Sequence, residues 1–311
     1  MSLTTAPIAL LAPGQGSQTP GMLAPWLELP GAADQLATWS AIGGLDLARL
    51  GTTATAEEIT DTAVTQPLVV AATLLAHRAL TERGLLADTP KVIAGHSVGE
   101  IAAYAIAGII SPDDAIALAA TRGAEMAKAC AVEPTGMSAV LGGDEAAVLA
   151  ALADLDLVAA NRNAAGQIVA AGRLDALAKL GENPPEKARV RALATAGAFH
   201  THFMAPAADA YAAVAAKIAT ADTLPAGVTV LSNADGQPVA SPADAMEKLV
   251  AQLTRPVRWD LCNETMRGTG LAAIIEFPPA GTLAGIAKRE LKGTPTHPIK
   301  TPGDLDGLAE L

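Results

Sequence analysis

The sequence predicts an α/β protein in which helices pack on a buried, mostly parallel sheet. Hydrophobic residues make up 50% of the 311 residues but aromatic residues only 3%, which suits helices rich in alanine and leucine. Short apolar runs alternate with longer helical segments, the pattern of parallel βαβ units. One such junction, Gly95-His-Ser-Val-Gly99, has the G-x-S-x-G spacing of a nucleophile elbow, a sharp turn from strand to helix.

The first predicted strand is the continuous apolar run of residues 7–12, which Pro13 ends. A polar, glycine-rich loop, Pro13-Gly-Gln-Gly-Ser-Gln18, follows. The loop lacks the spacing of a dinucleotide-binding fingerprint or a P-loop. Two interpretations stay open: a plain strand-to-helix turn, or a loop whose backbone N–H groups donate to an anionic group.

Helices dominate the next segment. Helical character extends over residues 33–50, and residues 56–62 are short and acidic. A long helix is predicted over residues 65–83, with Pro67 near its first turn. After the elbow, residues 100–107 continue as a helix. Ser111 is then the predicted N-cap of a helix that reaches Cys130.

The sequence pattern changes near Met137 and predicts an inserted small domain. Strands are expected at residues 137–141, 157–161, 167–171 and 188–194, and helices at 144–155 and 174–180. Residues 161–166 are predicted to be a polar loop between two of these strands. The order βαββαβ is that of a ferredoxin-like unit. We therefore expect residues 133–197 to form this domain within a large α/β-hydrolase-like domain of residues 1–132 and 198–311.

The chain returns to the large domain through residues 197–206, which lead into an alanine-rich helix to about residue 219. Two further strands are predicted at residues 228–231 and 272–277. Helices are predicted at 244–253 and 283–291. These elements complete the parallel sheet and its covering helices.

Ser97 lies at the apex of the predicted elbow. Gly95 and Gly99 carry no Cβ where strand and helix pass closely. Backbone N–H groups at the start of the next helix can receive an oxyanion. A simpler alternative is that Ser97 and Glu100 form a capping box, which an ordinary helix start can use.

A serine nucleophile needs a base within hydrogen-bonding distance. His200 and His202 are the favoured candidates because they lie in a loop that opens onto a helix. His96 is adjacent to Ser97 and is expected to be either structural or a pocket wall, whereas His77 and His297 are weaker candidates. A metal site at His200 and His202 is disfavoured because no third ligand is suitably spaced.

Charge and composition exclude several classes of function. The net charge of −11 disfavours binding to nucleic acids or anionic membranes. We expect no apolar run of the sequence to be long enough to span a membrane. The two cysteines, Cys130 and Cys262, form no disulfide or metal pattern. A soluble, cytoplasmic protein is expected.

Six ordered motifs resemble those of the malonyl-CoA:acyl carrier protein transacylases of bacterial type II fatty acid synthesis, over nearly the whole chain. The motifs are Pro13-Gly-Gln-Gly-Ser-Gln18, Thr65-Gln-Pro67, Gly95-His-Ser-Val-Gly-Glu100, Arg122-Gly123, Gly197-Ala-Phe-His200 and Gln252-Leu253 with Pro256-Val257. The resemblance implies ping-pong transfer of malonyl from malonyl-CoA to the phosphopantetheine thiol of acyl carrier protein, to supply fatty acid chain elongation. It implies no metal or redox cofactor, and a monomer is expected.

The resemblance also implies the roles of the catalytic residues. Ser97 is the expected nucleophile, which carries the malonyl group as an ester. His200 is the expected base, and the backbone carbonyl of Gln252 is expected to orient it in place of a carboxylate. The backbone N–H groups of Gln15 and Val98 are expected to form the oxyanion hole.

Further positions match substrate-binding residues of the family. Arg122 is expected to bind the free malonyl carboxylate, because a planar guanidinium can pair with it bidentately. In isolation, an arginine there would more often be a solvated helix residue. Phe199 resembles the malonyl-selecting form, and Asn161 and Gln167 are expected to contact the pantetheine arm. Relatives usually carry Gly-Pro-Gly after the last core strand, where this chain has Pro278-Pro-Ala-Gly281.

Two rival functions remain at this stage. A thioesterase or esterase uses the same elbow but lets water attack the acyl-enzyme. A non-catalytic carrier-binding module would be expected to lack Ser97, His200 or Arg122, all of which are present. Carrier proteins of this kind are acidic, so a basic patch is expected to compensate for the net charge of the enzyme. The candidates are Arg255, Arg258, Lys288, Arg289 and Lys292.

Overall fold

The computed structural model describes residues 6–309 and 311. The strands are β1 (Ile8–Ala12), β2 (Lys91–Gly95), β3 (Thr135–Gly142), β4 (Val158–Ala164), β5 (Gln167–Arg173), β6 (Ala188–Ala192), β7 (Val228–Leu231), β8 (Ala273–Glu276) and β9 (Thr296–Pro298). The helices are α1 (Ala24–Leu27), α2 (Ala32–Gly43), α3 (Leu47–Thr52), α4 (Thr62–Glu82), α5 (Gly99–Ile106), α6 (Pro112–Cys130), α7 (Glu145–Asp154), α8 (Leu174–Glu182), α9 (Ala205–Ala215), α10 (Pro242–Ala251), α11 (Trp259–Gly268) and α12 (Thr282–Glu290).

The larger sheet has five strands in the order β7-β2-β1-β8-β9, and every neighbouring pair is parallel. All residues of β1 and β8 are buried. Burial on both faces explains why these strands are continuous apolar runs rather than alternating ones. The predicted α/β class with a parallel sheet is confirmed.

A second sheet is antiparallel and contains β3 to β6 in the order β4-β5-β3-β6. Its elements follow the predicted order βαββαβ. The predicted polar loop at residues 161–166 is too long, however, because β4 continues to Ala164 and only residues 165–166 form the turn before β5. The polar residues at the end of β4, Arg162 and Asn163, gave no strand signal because tertiary contacts determine this segment, including the bond from the Arg162 N–H to the Val257 carbonyl.

Two predicted helices have different bounds. The helical segment of residues 33–50 is two helices, α2 and α3, because Gly44 ends α2 in the left-handed conformation (φ 65°). Helix α4 begins at Thr62, not at residue 65, because the Asp61 side chain caps it by accepting from the Ala63 N–H. Pro67 is therefore the sixth residue of α4 rather than part of its first turn.

Helix α4 also corrects the expectation about membrane spans. In the part of the chain that the structure describes, this one helix is long and apolar enough to cross a membrane by length and composition. Its most apolar stretch is 78% buried inside the protein. Burial in the core between other helices therefore accounts for its apolar character.

Three elements were not predicted, and the first of them is the four-residue helix α1. Helix α11 packs against β4 and buries Trp259, Cys262 and Met266. Strand β9 is a three-residue edge strand beside β8, too short to show a periodic pattern, and it ends in proline as edge strands can. At other ends the bounds shift by a few residues: α9 ends at Ala215, and a 3₁₀ turn, Gln252–Thr254, follows α10.

Candidate active site

The turn between β2 and α5 holds Ser97 in a strained backbone conformation. Ser97 has a φ of 54°, a region that non-glycine residues rarely adopt. A Cβ at Gly95 would collide with the carbonyl group of Gly99, and one at Gly99 would collide with the Ala12 carbonyl oxygen. The Asn233 side chain secures the turn: its Oδ1 accepts from the Ser97 N–H (2.8 Å) and its Nδ2 donates to the Gly95 carbonyl (2.7 Å).

Ser97 Oγ lies 2.7 Å from His200 Nε2. On the other side of the ring, Nδ1 lies 2.8 Å from the backbone carbonyl oxygen of Gln252. Because a carbonyl can only accept, Nδ1 carries the proton and Nε2 is left to accept the serine hydroxyl proton. Burial, and then the positive charge of Arg122, lower the pKa of His200 to about 3. The imidazole is therefore neutral, as a general base must be.

The capping-box interpretation of this turn is wrong. The N-cap of α5 is Val98, with no side-chain cap, and the Ser97 hydroxyl lies against His200. The Glu100 carboxylate is 1% exposed and accepts from the Asn233 backbone N–H (2.5 Å) and from Gln252 Nε2 (2.5 Å). Burial raises the pKa of Glu100 to about 7, and these hydrogen bonds partly oppose that rise.

Arg122 projects from α6 and is 1% exposed, so it is not a solvated helix residue. One guanidinium nitrogen donates to Gln66 Oε1 (2.7 Å). The other donates to Gln252 Oε1 (2.8 Å) and lies 3.4 Å from Ser97 Oγ. Within residues 6–309 and 311, no carboxylate lies within 4 Å of this guanidinium, and its Nε is buried without a partner. A buried cation with unused donors beside Ser97 suits an anionic group on a bound molecule.

A cavity of about 480 Å³ opens at this point. Eight of the nine predicted site residues line it: Gln15, Ser97, Val98, Arg122, Asn161, Gln167, Phe199 and His200. Gln252 lies behind His200 and is 4% exposed. The backbone N–H groups of Gln15 and Val98 donate to no other group of the described residues. Both are thus available to an oxygen in the cavity.

The peripheral candidates have different surroundings. Phe199 is 6% exposed and directly precedes His200. Asn161 lies in β4 rather than in a loop. Gln167 begins β5, and its Oε1 accepts from the Arg289 guanidinium (2.7 Å), so its amide is fixed at the edge of the cavity.

Among the described residues, none of the other histidines forms a hydrogen bond with Ser97 Oγ as His200 does. His96 Nε2 lies 2.8 Å from Asn163 Oδ1 and forms part of the cavity wall, while His202 packs on the Phe203 ring. His77 packs edge-on against Phe277. In the described part of the chain, no group of three or more histidine, cysteine or acidic residues could hold a metal ion.

Sequence reasoning missed several polar residues around the site. These residues are Gln66, Glu100 and Asn233, which form a buried network with the Gln252 side chain around Arg122 and Ser97. Gln252 was itself predicted, but for its backbone carbonyl only. Gln66 lies within the quoted motif Thr65-Gln-Pro67, although no role was given to it. Asn233 lies just after β7, at the carboxyl end of a parallel strand, where ligand sites of open α/β sheets collect. Its position at this strand end is the sequence signal that could have identified Asn233 as a site residue.

A serine paired with a neutral histidine, at the end of a parallel strand, transfers acyl groups to water or to another acceptor. The fold and this site therefore define an acyl-transferring α/β enzyme. The family model described as "Acyl transferase domain" matches residues 10–303. The chain belongs to the acyl transferase family.

Relatives with solved structures or curated names cover nearly the full length. A protein of Mycobacterium tuberculosis (strain H37Rv) named malonyl CoA-acyl carrier protein transacylase is 72% identical over 98% of this chain and 100% of its own length. One of the same name from Escherichia coli (strain K12) is 33% identical over 97% and 99%. The crystal structure of MCAT from Mycobacterium tuberculosis matches with a TM-score of 0.95, 72% identity and coverage of 97% and 99%. A type II PKS acyl-carrier protein in complex with its malonyl-transacylase matches with a TM-score of 0.90, 30% identity and coverage of 98% and 99%.

Proposed function

We propose that this enzyme moves malonyl from malonyl-CoA to the phosphopantetheine thiol of acyl carrier protein and so supplies fatty acid chain elongation. The observation that carries the proposal is the placement of Arg122. Its buried guanidinium, with no carboxylate partner among the described residues, lies 3.4 Å from Ser97 Oγ. An acyl group with a free carboxylate satisfies that cation when its thioester carbon lies at the serine. The names of the relatives support the same substrate pair.

The first half-reaction acylates Ser97. His200 Nε2 takes the hydroxyl proton while Ser97 Oγ attacks the malonyl thioester carbonyl. The backbone N–H groups of Gln15 and Val98 receive the oxyanion of the tetrahedral intermediate. The C–S bond then breaks, and CoA leaves as its thiol with the proton from the imidazolium. The Gln252 carbonyl holds the ring in the required tautomer throughout.

The second half-reaction returns the enzyme to its starting state. The phosphopantetheine thiol of the carrier attacks the malonyl-serine ester, and His200 accepts the thiol proton. The intermediate collapses, the ester C–O bond breaks, and Ser97 recovers the proton from His200. Each step uses only groups of the chain and of its two substrates, so the proposal includes no metal or redox cofactor.

Selection among acyl groups follows from the lining of the cavity. Arg122 favours a terminal carboxylate, and Phe199 limits the space beside the malonyl carbon. Asn161 and Gln167, at the cavity edge, are proposed contacts of the pantetheine arm. Because Arg289 already donates to the Gln167 Oε1, the Nε2 of that amide is the atom available to the arm.

We infer the finer architecture on the same basis. The turn at Ser97 supports an α/β-hydrolase-like elbow in a large domain of residues 1–132 and 198–311. The βαββαβ order and the antiparallel arrangement β4-β5-β3-β6 support a ferredoxin-like small domain at residues 133–197. A cytoplasmic monomer is part of the proposal.

Intact-mass spectrometry tests the function directly. Incubation with malonyl-CoA should add one malonyl group to the protein, and holo acyl carrier protein should then remove it and gain the same mass. The rival thioesterase would release malonate at the same rate with or without the carrier. An adduct that never reaches the carrier would overturn the proposed transfer.

A further inference from the structure

Glu100 is a buried acidic residue that the proposed mechanism does not use. It lies in the first turn of α5, three residues after Ser97, and both of its carboxylate oxygens accept hydrogen bonds. One oxygen accepts from the backbone of Asn233 and the other from the Gln252 side chain. Glu100 thus touches the side chain that contacts Arg122, without touching the cavity itself.

The Gln252 side-chain amide lies between the Glu100 carboxylate and the Arg122 guanidinium. Its Nε2 faces three acceptors: Glu100 Oε2 at 2.5 Å, and the Ser97 carbonyl oxygen and Asn233 Oδ1, each at 3.3 Å. Its Oε1 faces the Arg122 guanidinium at 2.8 Å. Because a guanidinium only donates and a carboxylate only accepts, one orientation of this amide satisfies both neighbours. The opposite orientation would place an NH₂ group against a guanidinium.

We propose that Glu100 is a positioning residue for acyl selection: its acceptor oxygens fix the orientation of the Gln252 amide, whose carbonyl oxygen then holds the Arg122 guanidinium in place for a substrate carboxylate. The inference rests on the proposed function, since it concerns how that same site recognises malonyl. The Gln252 contact adds to the one that Gln66 makes, so the Arg122 guanidinium is held at both terminal nitrogens.

The substitution Glu100→Gln separates this role from simple support of the fold. Glutamine has nearly the same shape but only one acceptor oxygen. The Asn233 N–H and Gln252 Nε2 donate to different oxygens of Glu100, so glutamine cannot accept at both positions. If its NH₂ group faces Gln252, that amide must turn and present its own NH₂ group to Arg122. The Arg122 guanidinium then loses the acceptor at one of its two terminal nitrogens and is held only by Gln66, while Ser97 and His200 keep their positions. Malonyl transfer should suffer and acetyl transfer should not.

The experiment measures kcat/KM for malonyl-CoA and for acetyl-CoA, with holo acyl carrier protein as acceptor. The assay is run at about pH 8, so that Glu100, with its pKa of about 7, is ionised. Wild-type malonyl transfer in the same assay tests the proposed function separately. In Glu100→Gln, the ratio of malonyl to acetyl activity should fall about tenfold or more, the scale of a lost hydrogen bond to a charged group. In an Arg122→Ala background, the same substitution should leave the ratio unchanged.

Glu276 provides a matched control. It is a second fully buried glutamate (0% exposed), and its oxygens accept from the backbone N–H groups of Gly281, Leu283 and Ala284. Glu276→Gln should lower the Tm without changing the malonyl-to-acetyl ratio.

A second variant keeps the inference testable if Glu100→Gln does not fold. Gln252→Met removes the amide but keeps the backbone carbonyl that holds His200, and it should shift the ratio in the same direction. The inference is overturned if either variant lowers both activities in equal proportion. A change of ratio that persists without Arg122 would also overturn it, because the effect would then bypass the guanidinium.

Discussion

The backbone carbonyl oxygen of Gln252 lies 2.8 Å from His200 Nδ1, where the serine triads of hydrolases place a carboxylate. A carbonyl fixes the tautomer as a carboxylate would, but it brings no negative charge to stabilise an imidazolium. The nearby Arg122 adds a positive charge. Burial, and to a lesser extent this charge, lower the pKa of His200 to about 3, so the ring stays neutral over the physiological range.

This low pKa makes stability depend on pH in a defined direction. The pKa of His200 in the folded protein, about 3, is below the ordinary value of 6.5, so the unfolded chain binds the proton more tightly. The contribution of the neutral ring is complete above about pH 6.5 and is lost as the pH falls toward 3. His200→Gln should therefore lose less stability than wild type between about pH 7 and pH 4.5. Urea unfolding at several pH values checks this, and parallel curves for the two proteins would contradict it.

Ser97→Ala should abolish the acyl-enzyme, because the elbow presents no other nucleophile to His200. Intact-mass measurement after treatment with malonyl-CoA is the test. Ser111→Ala is a suitable control, since Ser111 is an exposed cap of α6 and its loss should leave the adduct intact. A malonyl adduct that survives in Ser97→Ala would place the nucleophile elsewhere.

His200→Ala should slow acylation by roughly 10²- to 10⁴-fold, the usual cost of losing a general base. His202→Ala should have a mild effect, because that ring packs against Phe203 rather than Ser97. Stopped-flow measurement of acylation compares the two variants. The reverse ranking would show that His202 is the base.

Docking of the carrier should depend on a basic patch near the cavity. Lys288, Arg289 and Lys292 are exposed at the end of α12 or just after it, and residues of the same helix line the cavity. Arg258, also a candidate from sequence, is already paired with Asp260. Reversing the charge of Lys288 and Lys292 should raise the KM for an acidic carrier more than the KM for malonyl-CoA.

The matched control for that experiment is Lys179→Glu. Lys179 is exposed on α8 and is not part of the cavity lining, so it should change neither KM. Equal increases for both substrates in the double variant at Lys288 and Lys292 would argue against a docking patch.

Local patterns in the sequence predicted much of this fold. The apolar runs at β1 and β8 are strands because a parallel sheet buried on both faces needs uninterrupted apolar residues. The glycine spacing around Ser97 predicted the sharp turn, since only glycine fits where β2 and α5 meet. His200 is 103 residues from Ser97, so no spacing rule could pair them. The family resemblance was needed for that.

The remaining features depend on contacts between distant segments. Arg162 and Asn163 lie in a strand because β5 pairs with this segment and the Val257 carbonyl accepts from the Arg162 N–H, which a polar sequence does not reveal. Glu100 resembled half of a capping box, yet its carboxylate faces Asn233 and Gln252. Side-chain direction inside a core is a tertiary property, and the network around Arg122 could be seen only in the structure.

Arg122 gives the sharpest test of substrate recognition. Its guanidinium is buried, held by Gln66 and Gln252, and without a carboxylate partner among the described residues. Arg122→Ala should lower kcat/KM for malonyl-CoA by roughly 30- to 150-fold, as expected for the loss of a charge-assisted pair. Acetyl-CoA leaves the buried cation unpaired in wild type, so acetyl transfer should hold steady or rise in the variant.

Arg122→Lys completes the test, because it keeps the charge and removes the planar fork. A single ammonium cannot donate to Gln66, to Gln252 and to a substrate carboxylate in the geometry that the guanidinium provides. The lysine variant should therefore recover little malonyl activity. Steady-state kinetics with both thioesters on wild type and the two variants decide the matter. If both acyl groups lose activity in equal proportion, Arg122 supports the fold, and the carboxylate of the substrate must be recognised by another group.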